Sequence, residues 1–180
     1  VAKLGLEEFI KLVEIERKQL PYDENWINYL DELEKTKDKP LKSSVLLKEL
    51  HQSNQFNSWK NENVLSQRQK GYYVVFIMLP LGDITSVQMR KLSYIAEKYV
   101  GNSIRTTVEQ NLVLRWVNEG DLIDLYNELK EIGLAEPGAG SILDITSCPG
   151  TDTCKLGIAS SRGLAGELRE MLTPKQMELD

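Results

Sequence analysis

Both cysteines of the chain, Cys148 and Cys154, lie in one stretch, Asp144 to Gly157 (DITSCPGTDTCKLG), with five residues between them. Thiolates are strong ligands for soft metals and iron–sulfur centres, so two of them around one turn suit metal or cluster ligation. Pro149-Gly150 follows the first cysteine directly. Proline presets φ at the second position of a type II turn, and glycine accepts the positive φ required next. Asp152 then stands where a helix N-cap belongs, ahead of a long run with helical apolar spacing. The stretch thus predicts a strand end, a tight turn and a helix start, with one thiol on each side of the turn.

Simpler accounts compete with ligation. Free cysteine is among the most buried residue types, so two inert core thiols also explain the pair. A disulfide suits an oxidising compartment, which two cysteines in 180 residues do not suggest. Structural zinc favours about two to four residues between paired cysteines and needs two more ligands. The one histidine, His51, belongs to no ligand pattern. A 4Fe-4S cluster takes four thiolates. With two, the chain holds at most half of such a site.

A second candidate is Ile104 to Leu112 (IRTTVEQNL). Arg105 offers a fixed fork for a carboxylate or oxyanion, and Thr107, Gln110 and Asn111 add neutral donors. The plain alternative is a polar strand connection with an ordinary surface arginine. Arg115 and Trp116 read either as a stacking surface or, more simply, as a cross-strand pair. Asp83 belongs to a turn or cap.

These residues need a scaffold, and the hydrophobic periodicity supplies one. Leu6, Phe9, Ile10 and Val13 predict an amphipathic helix over 6–18, with Glu7 and Glu8 in its first turn and Arg17 and Lys18 in its last. A second helix from about Glu24 carries Trp26, Tyr29, Leu30 and Leu33 on one face. A charged linker follows over 35–40, then an apolar burst over 45–50. The Asn/Gln-rich segment His51 to Asn63 reads as a surface loop.

From Gly71 the pattern changes. Tyr72 to Leu79 is a β-branched and aromatic run ended by Pro80, hence a buried strand. Thr85 or Ser86 caps a helix that Gly101 ends. Strands follow at 103–107 and 112–117, then a helix with Leu122, Leu125, Leu129 and Ile132 closed by Gly133, then a strand at 142–146. The class is α+β, and the order over 72–146 is the ferredoxin-like β-α-β-β-α-β unit. A final helix places Leu164, Leu168 and Met171 on one face.

The formal net charge is −5. The second half has no basic strip, so the reading expects no nucleic-acid partner. No run approaches the roughly 18 apolar residues of a membrane span. The start reads as an amphipathic helix rather than a signal peptide, and the cytoplasm is the expected compartment. A chain that opens on Val1 rather than Met reads as a processed product or a piece of something longer.

Gly71 to Ile77 (GYYVVFI), Gly82 to Thr85 (GDIT), Ile104 to Leu112 and Asp144 to Gly157 resemble the nitrite and sulfite reductase family in order and spacing. The resemblance is specific over about 70–172. It implies enzymes that use sirohaem coupled to a 4Fe-4S cluster, built as a pseudo-duplicated pair of ferredoxin-like and sirohaem-binding modules.

By that resemblance, 1–66 is a helical linker segment, 67–136 the second ferredoxin-like repeat, and 137–180 the incomplete start of a cluster and sirohaem module. Cys148 and Cys154 match the first cysteine pair of the cluster. Arg105, Thr107, Gln110 and Asn111 match a polar motif near the sirohaem. The implied activity is six-electron reduction of nitrite or sulfite, an anionic small molecule, with a ferredoxin or flavoprotein as electron donor. The remainder of a parent chain supplies what is missing, so this part is expected to be inactive alone.

Two other readings stand beside it. One is a sirohaem-family relative such as a precorrin-3B synthase. The other is a ferredoxin-like binding or regulatory module with structural cysteines and no redox role. For the isolated chain the expectations are no bound cluster, a mobile or non-native tail over 147–180, and a non-native dimer formed through Leu164, Leu168 and Met171.

Overall fold

A computed structural model of the chain describes all residues except 1–2, 22, 24, 48–52, 102 and 180, together with all side chains there except those of 27 and 174–179. It divides into two compact units, Val1–Lys37 and Asp38–Asp180.

The first unit holds α1 (Leu6–Gln19) and α2 (Asn25–Lys35). Acidic residues open α1 and basic ones close it, as the helix dipole favours. Its apolar stripe, including Leu6, Phe9, Ile10 and Val13, is exposed.

The second unit is built on a four-stranded antiparallel sheet in the order β1-β2-β4-β3. The strands are β1 (Val64–Ser66), β2 (Tyr72–Ile77), β3 (Ile104–Thr106) and β4 (Leu112–Asn118). Helix α4 (Ser86–Val100) joins β2 to β3, and α5 (Leu122–Glu131) follows β4. Thr85 caps α4 in a full capping box with Gln88, and Gly101 ends it at φ 72°. Both ends lie where the sequence puts them, because the caps are local chemistry.

The α+β class and the α-helical crossover are as expected, but the edge strand comes from elsewhere. Residues 142–146 form turns and irregular chain rather than a strand. The place beside β2 is taken by β1, paired through Val64 opposite Val75 and Ser66 opposite Tyr73. Hairpin closure from β1 to β2 spans few residues, so it is the cheaper way to fill that edge.

The core lies between one sheet face and the helices. Val75, Ile77, Leu112, Leu114 and Val117 from the sheet meet Leu92, Ile95 and Tyr99 of α4 and Leu122, Leu125 and Leu129 of α5. The inward set in β4 runs 112, 114, 117, which breaks strict alternation. A β-bulge is the reason: the register with β2 shifts between Tyr73 and Val75, and Trp116 sits at φ 62°.

Helix α3 (Asn54–Asn63) occupies most of the stretch expected to be a loop; His51 itself lies outside the described residues. Ser53 caps it, accepting from the Phe56 amide at 3.2 Å. Phe56 and Trp59 are buried and form an aromatic cluster with Tyr126, with ring centroids 5.1–5.8 Å apart. Their i, i+3 spacing is helical. The polar residues around them hide it. The compact unit thus starts well before residue 67.

Three buried asparagines fasten loops to this core. Asn63 donates to Phe76 O and Glu136 O and accepts from Gly138 N. Asn118 donates to Ser43 O at 2.8 Å and accepts from Val45 N at 2.9 Å, which straps residues 43–45 over the end of β4. Asn111 serves the third loop, the one that leads to the cysteines.

Candidate functional site

The cysteine stretch folds back on itself more tightly than a simple turn. Gly150 has the expected positive φ of 55°, but Pro149 lies at φ −63°, ψ −19°, so the turn is not type II. It opens a single helical turn, Gly150–Asp152. Cys154 N donates to Gly150 O, Gly157 N to Cys154 O, and Thr151 N to Ala159 O, at 3.0–3.1 Å. Asp152 is therefore inside this turn and caps no helix. The long helix α6 (Ser161–Leu179) starts later, where Ser160 Oγ accepts from Gly163 N at 3.2 Å.

Two glycines permit the fold-back. A Cβ on Gly150 would lie 2.6 Å from Ala159 O, and one on Gly157 would lie 2.8 Å from the Gly150 carbonyl carbon. No side chain fits at either place.

The result brings both thiols to one concavity of about 350 Å³, lined also by Pro149, Leu156, Ile158 and Ala159. Cys148 and Cys154 are both exposed and free. The inert-core reading of the pair is thereby set aside. Ser161 Oγ lies 3.2 Å from Cys148 Sγ. That hydroxyl, with the Gly150 N–H behind it, holds the Cys148 thiol below its usual pKa range. Leu156 and Ile158 are almost fully exposed at 90% and 99%, an apolar rim with no cover of its own.

The rest of the stretch is tied to the sheet module by polar bonds. Asn111, 2% exposed, donates to both oxygens of Asp144 at 2.8 Å and accepts from Leu79 N at 2.8 Å. Asp144 also accepts from Gly140 N. Arg162 pairs with Asp83 and, at 3.4 Å, with Asp152. Arg169 donates to Leu143 O at 2.7 Å and pairs with Glu136 at 2.5 Å. Ala165 is buried. The 147–173 tail therefore docks on its own domain, while Leu164, Leu168 and Met171 stay exposed as expected.

The second candidate motif forms the β3–β4 turn. Gln110 donates to Ser147 O at 2.8 Å, and its Oε1 accepts from Ser147 N at 3.4 Å. Thr107 Oγ1 accepts from Asn111 N at 3.3 Å. Arg105 is bonded elsewhere: its Nε and Nη2 both reach Asp38 at 3.0 and 2.8 Å, with Arg115 at 3.7 Å from the same carboxylate. Burial alone would raise the Asp38 pKa; the Ser103 bond and Arg105 outweigh it and hold the carboxyl below its usual range. All four motif residues thus have partners within the chain.

Sequence reasoning missed Ser161, Arg162 and Arg169. The serine pair at 160–161 ahead of an apolar-periodic run is an N-cap signal that could have located the helix start and, with it, the thiol's neighbour. The arginines carried no signal, because their partners are distant in sequence.

The fold and the site define an α+β module with a helical crossover, carrying a two-thiol turn at its end. Residues 65–132 match the family model described as the nitrite/sulfite reductase ferredoxin-like half domain. The chain is 29% identical over 117 residues to the chloroplastic ferredoxin–nitrite reductase of Spinacia oleracea, covering 62% of this chain and 20% of that one. It is 31% identical over 110 residues to the ferredoxin–nitrite reductase of Leptolyngbya laminosa, covering 58% and 21%. With the nitrite reductase [NAD(P)H] of Emericella nidulans it shares 29% over 126 residues, covering 68% and 11%. Among solved structures, Mycobacterium tuberculosis NirA is similar in fold, with a TM-score of 0.54 and 21% identity, covering 76% of this chain and 23% of that one.

Over residues 65–132 the chain is similar to the ferredoxin-like half domain of nitrite/sulfite reductases. It spans about a fifth or less of the length of these relatives.

Among the described residues, no group of three or more His, Cys, Asp and Glu side chains is placed to hold a metal ion. None of the described helices is long and apolar enough to cross a membrane.

Proposed function

We propose that the chain supplies this half domain and two cluster thiolates, Cys148 and Cys154, to a sirohaem and 4Fe-4S oxidoreductase that reduces nitrite by six electrons. Sulfite is the related substrate. The observation that carries the reading is the meeting of both thiols in one apolar-rimmed concavity just beyond the family's half domain. The relatives' names favour nitrite, and point to ferredoxin or NAD(P)H as the source of electrons.

The donor set fits half of a cluster. Two exposed thiols, one acidified by Ser161 and Gly150, suit a centre that binds thiolate. The remainder of a longer protein contributes the other thiolates and the cations that meet the anionic substrate. When bound, the cluster supplies one-electron transfer toward the sirohaem.

This chain's residues do three things. Gly150 and Gly157 let the backbone close so that both cysteines line one concavity. Ser161 and the Gly150 N–H stabilise negative charge on Cys148. Leu156, Ile158 and Ala159 present an apolar wall that excludes water once covered. Arg105, Thr107, Gln110 and Asn111 fit a sirohaem contact less well, because each is already bonded within the chain. No step is derived through them. Two free thiols agree with a reducing compartment, and the cytoplasm is the proposed one.

The test is the longer protein purified anaerobically and assayed for iron, acid-labile sulfide and sirohaem absorbance. Cys148→Ser and Cys154→Ser should each lose most of the cluster iron. Full iron retention in both, or no chromophore in the parent, would sink the proposal and favour a binding module.

A further inference from the structure

The segment between Asp144 and Pro149 has neither strand nor helix of its own, yet it delivers Cys148 to the concavity. What holds it comes from the β3–β4 turn. That turn is closed by its own bonds, Thr107 N to Asn111 O at 3.0 Å and Gln110 N to Thr107 O at 3.2 Å. The root of the Gln110 side chain is therefore fixed. Its backbone is left-handed, at φ 66°. Gly82 leaves room beside it, since a Cβ there would approach Gln110 Cβ to 3.3 Å.

From this root the carboxamide meets the backbone of Ser147 as a neighbouring strand would, donating to its carbonyl and accepting from its N–H. A carboxamide carries both a donor and an acceptor, so it can serve the N–H and the C=O of one residue at once. Thr146 Oγ1 adds a longer bond to Glu109 O at 3.4 Å. Ser147 is the residue before Cys148, so the carbonyl that Gln110 holds belongs to the peptide bond from which the thiol-bearing residue extends.

We infer that Gln110 is a positioning residue for Cys148: its carboxamide, bonded to both the N–H and the C=O of Ser147, fixes where the Cys148 sulfur enters the shared concavity. The placement holds whether or not a cluster is ever bound; its value for ligation rests on the function proposed above.

Three variants and two readouts test it. In this chain, hydrogen exchange of peptides covering 145–150 is compared with peptides from β2 and β4 in wild type, Gln110→Ala and Gln110→Gly. Glycine keeps the left-handed backbone at no cost, so it separates the carboxamide from the backbone conformation. Loss of both bonds should speed exchange at 145–150 by about tenfold in both variants, with β2 and β4 unchanged. Wild-type protection in Gln110→Gly overturns the inference. Should Gln110→Ala unfold the sheet, the glycine variant still decides.

The second readout is the electron paramagnetic resonance spectrum and iron content of the reduced, anaerobically purified longer protein. Gln110→Gly should broaden or shift the cluster signal and lower iron by about twofold or more, where a change in stability alone would leave the line shape intact. Faster exchange with an unaltered signal and full iron also overturns the inference. Faster exchange in a parent that holds no iron even as wild type supports the placement and removes the cluster proposal instead. Gln110→Asn, which is polar but too short to reach Ser147, should match the glycine variant; wild-type behaviour there counts against the two-bond grip.

Discussion

From Phe56 to Leu134 the inward residues are mostly apolar, and Trp59, Ile77, Leu92, Leu114, Leu122, Leu125 and Leu129 have almost no exposed surface. From Glu136 to Ala165 only Gly138, Leu143, Gly150 and Ala165 are buried among the described residues. The first region is held by area removed from water, the second by polar bonds to the first and by glycines that let backbone touch backbone. The sheet module carries its own reason to fold. The cysteine region borrows its order, chiefly through Asn111, Gln110, Arg162 and Arg169.

The sharpest break of this contrast is Trp59→Ala. Its cavity should cost about 3–5 kcal/mol and unfold both regions together, read by urea denaturation with circular dichroism. A loss under about 1 kcal/mol would mean the aromatic cluster with Tyr126 is not central.

Next comes Asn111→Ala, which acts on the join. It orphans the buried Leu79 N–H and leaves the Asp144 carboxylate with fewer donors, at about 1–3 kcal/mol. Hydrogen exchange should rise at 140–148 as well as at Leu79. A purely local change at Leu79 would show that the cysteine region does not depend on this side chain.

Gly150→Ala should separate the regions. The added Cβ meets the Ala159 carbonyl and the Ser161 amide, so the thiol turn opens while the sheet's denaturation midpoint stays within about 0.5 kcal/mol of wild type. Limited proteolysis between 148 and 160 should quicken about tenfold. Equal loss in both regions would mean that the thiol turn and the sheet unfold as one unit.

The smallest effect belongs to Asp38→Asn, at about 0.5–1 kcal/mol at neutral pH, because Arg105 is half-exposed. The folded Asp38 pKa is lowered, so its contribution is present above the ordinary carboxylate pKa and is lost as pH falls through the folded value. Wild type and variant should therefore converge in acid. A difference that persists below pH 2 would assign the effect to packing.

The same contrast governs what could be read in the sequence. Where structure follows from local chemistry, residues announced it: a cap at Thr85, Gly101 ending the helix, and the apolar run of β2. Helix α3 escaped because two buried aromatics, Phe56 and Trp59, organise a segment whose other residues are mostly polar. The strand expected at 142–146 failed for a different reason. Its apolar residues serve turn packing, as Leu143 does, and β1 had already taken the edge.

At the site, two thiols flanking a turn with a positive-φ Gly150 were legible from residue type and spacing, but the turn's type and the helix start were not. The roles of Arg105 and Gln110 were not, since Asp38 and Ser147 lie 67 and 37 residues away in sequence. Chemistry-bearing residues can be listed from a sequence. Their commitments come only from the fold.

The strap from Asp38 to Val45 has a consequence for association between chains. The sheet ends on two strands of three residues each, β1 and β3, and β3 carries Arg105 at its centre, paired back to Asp38. So short an edge, with a charge in its middle, gives an incoming strand little to extend. Strand addition, the common route to aggregation in open sheets, is disfavoured at that edge by the same ion pair that anchors the strap.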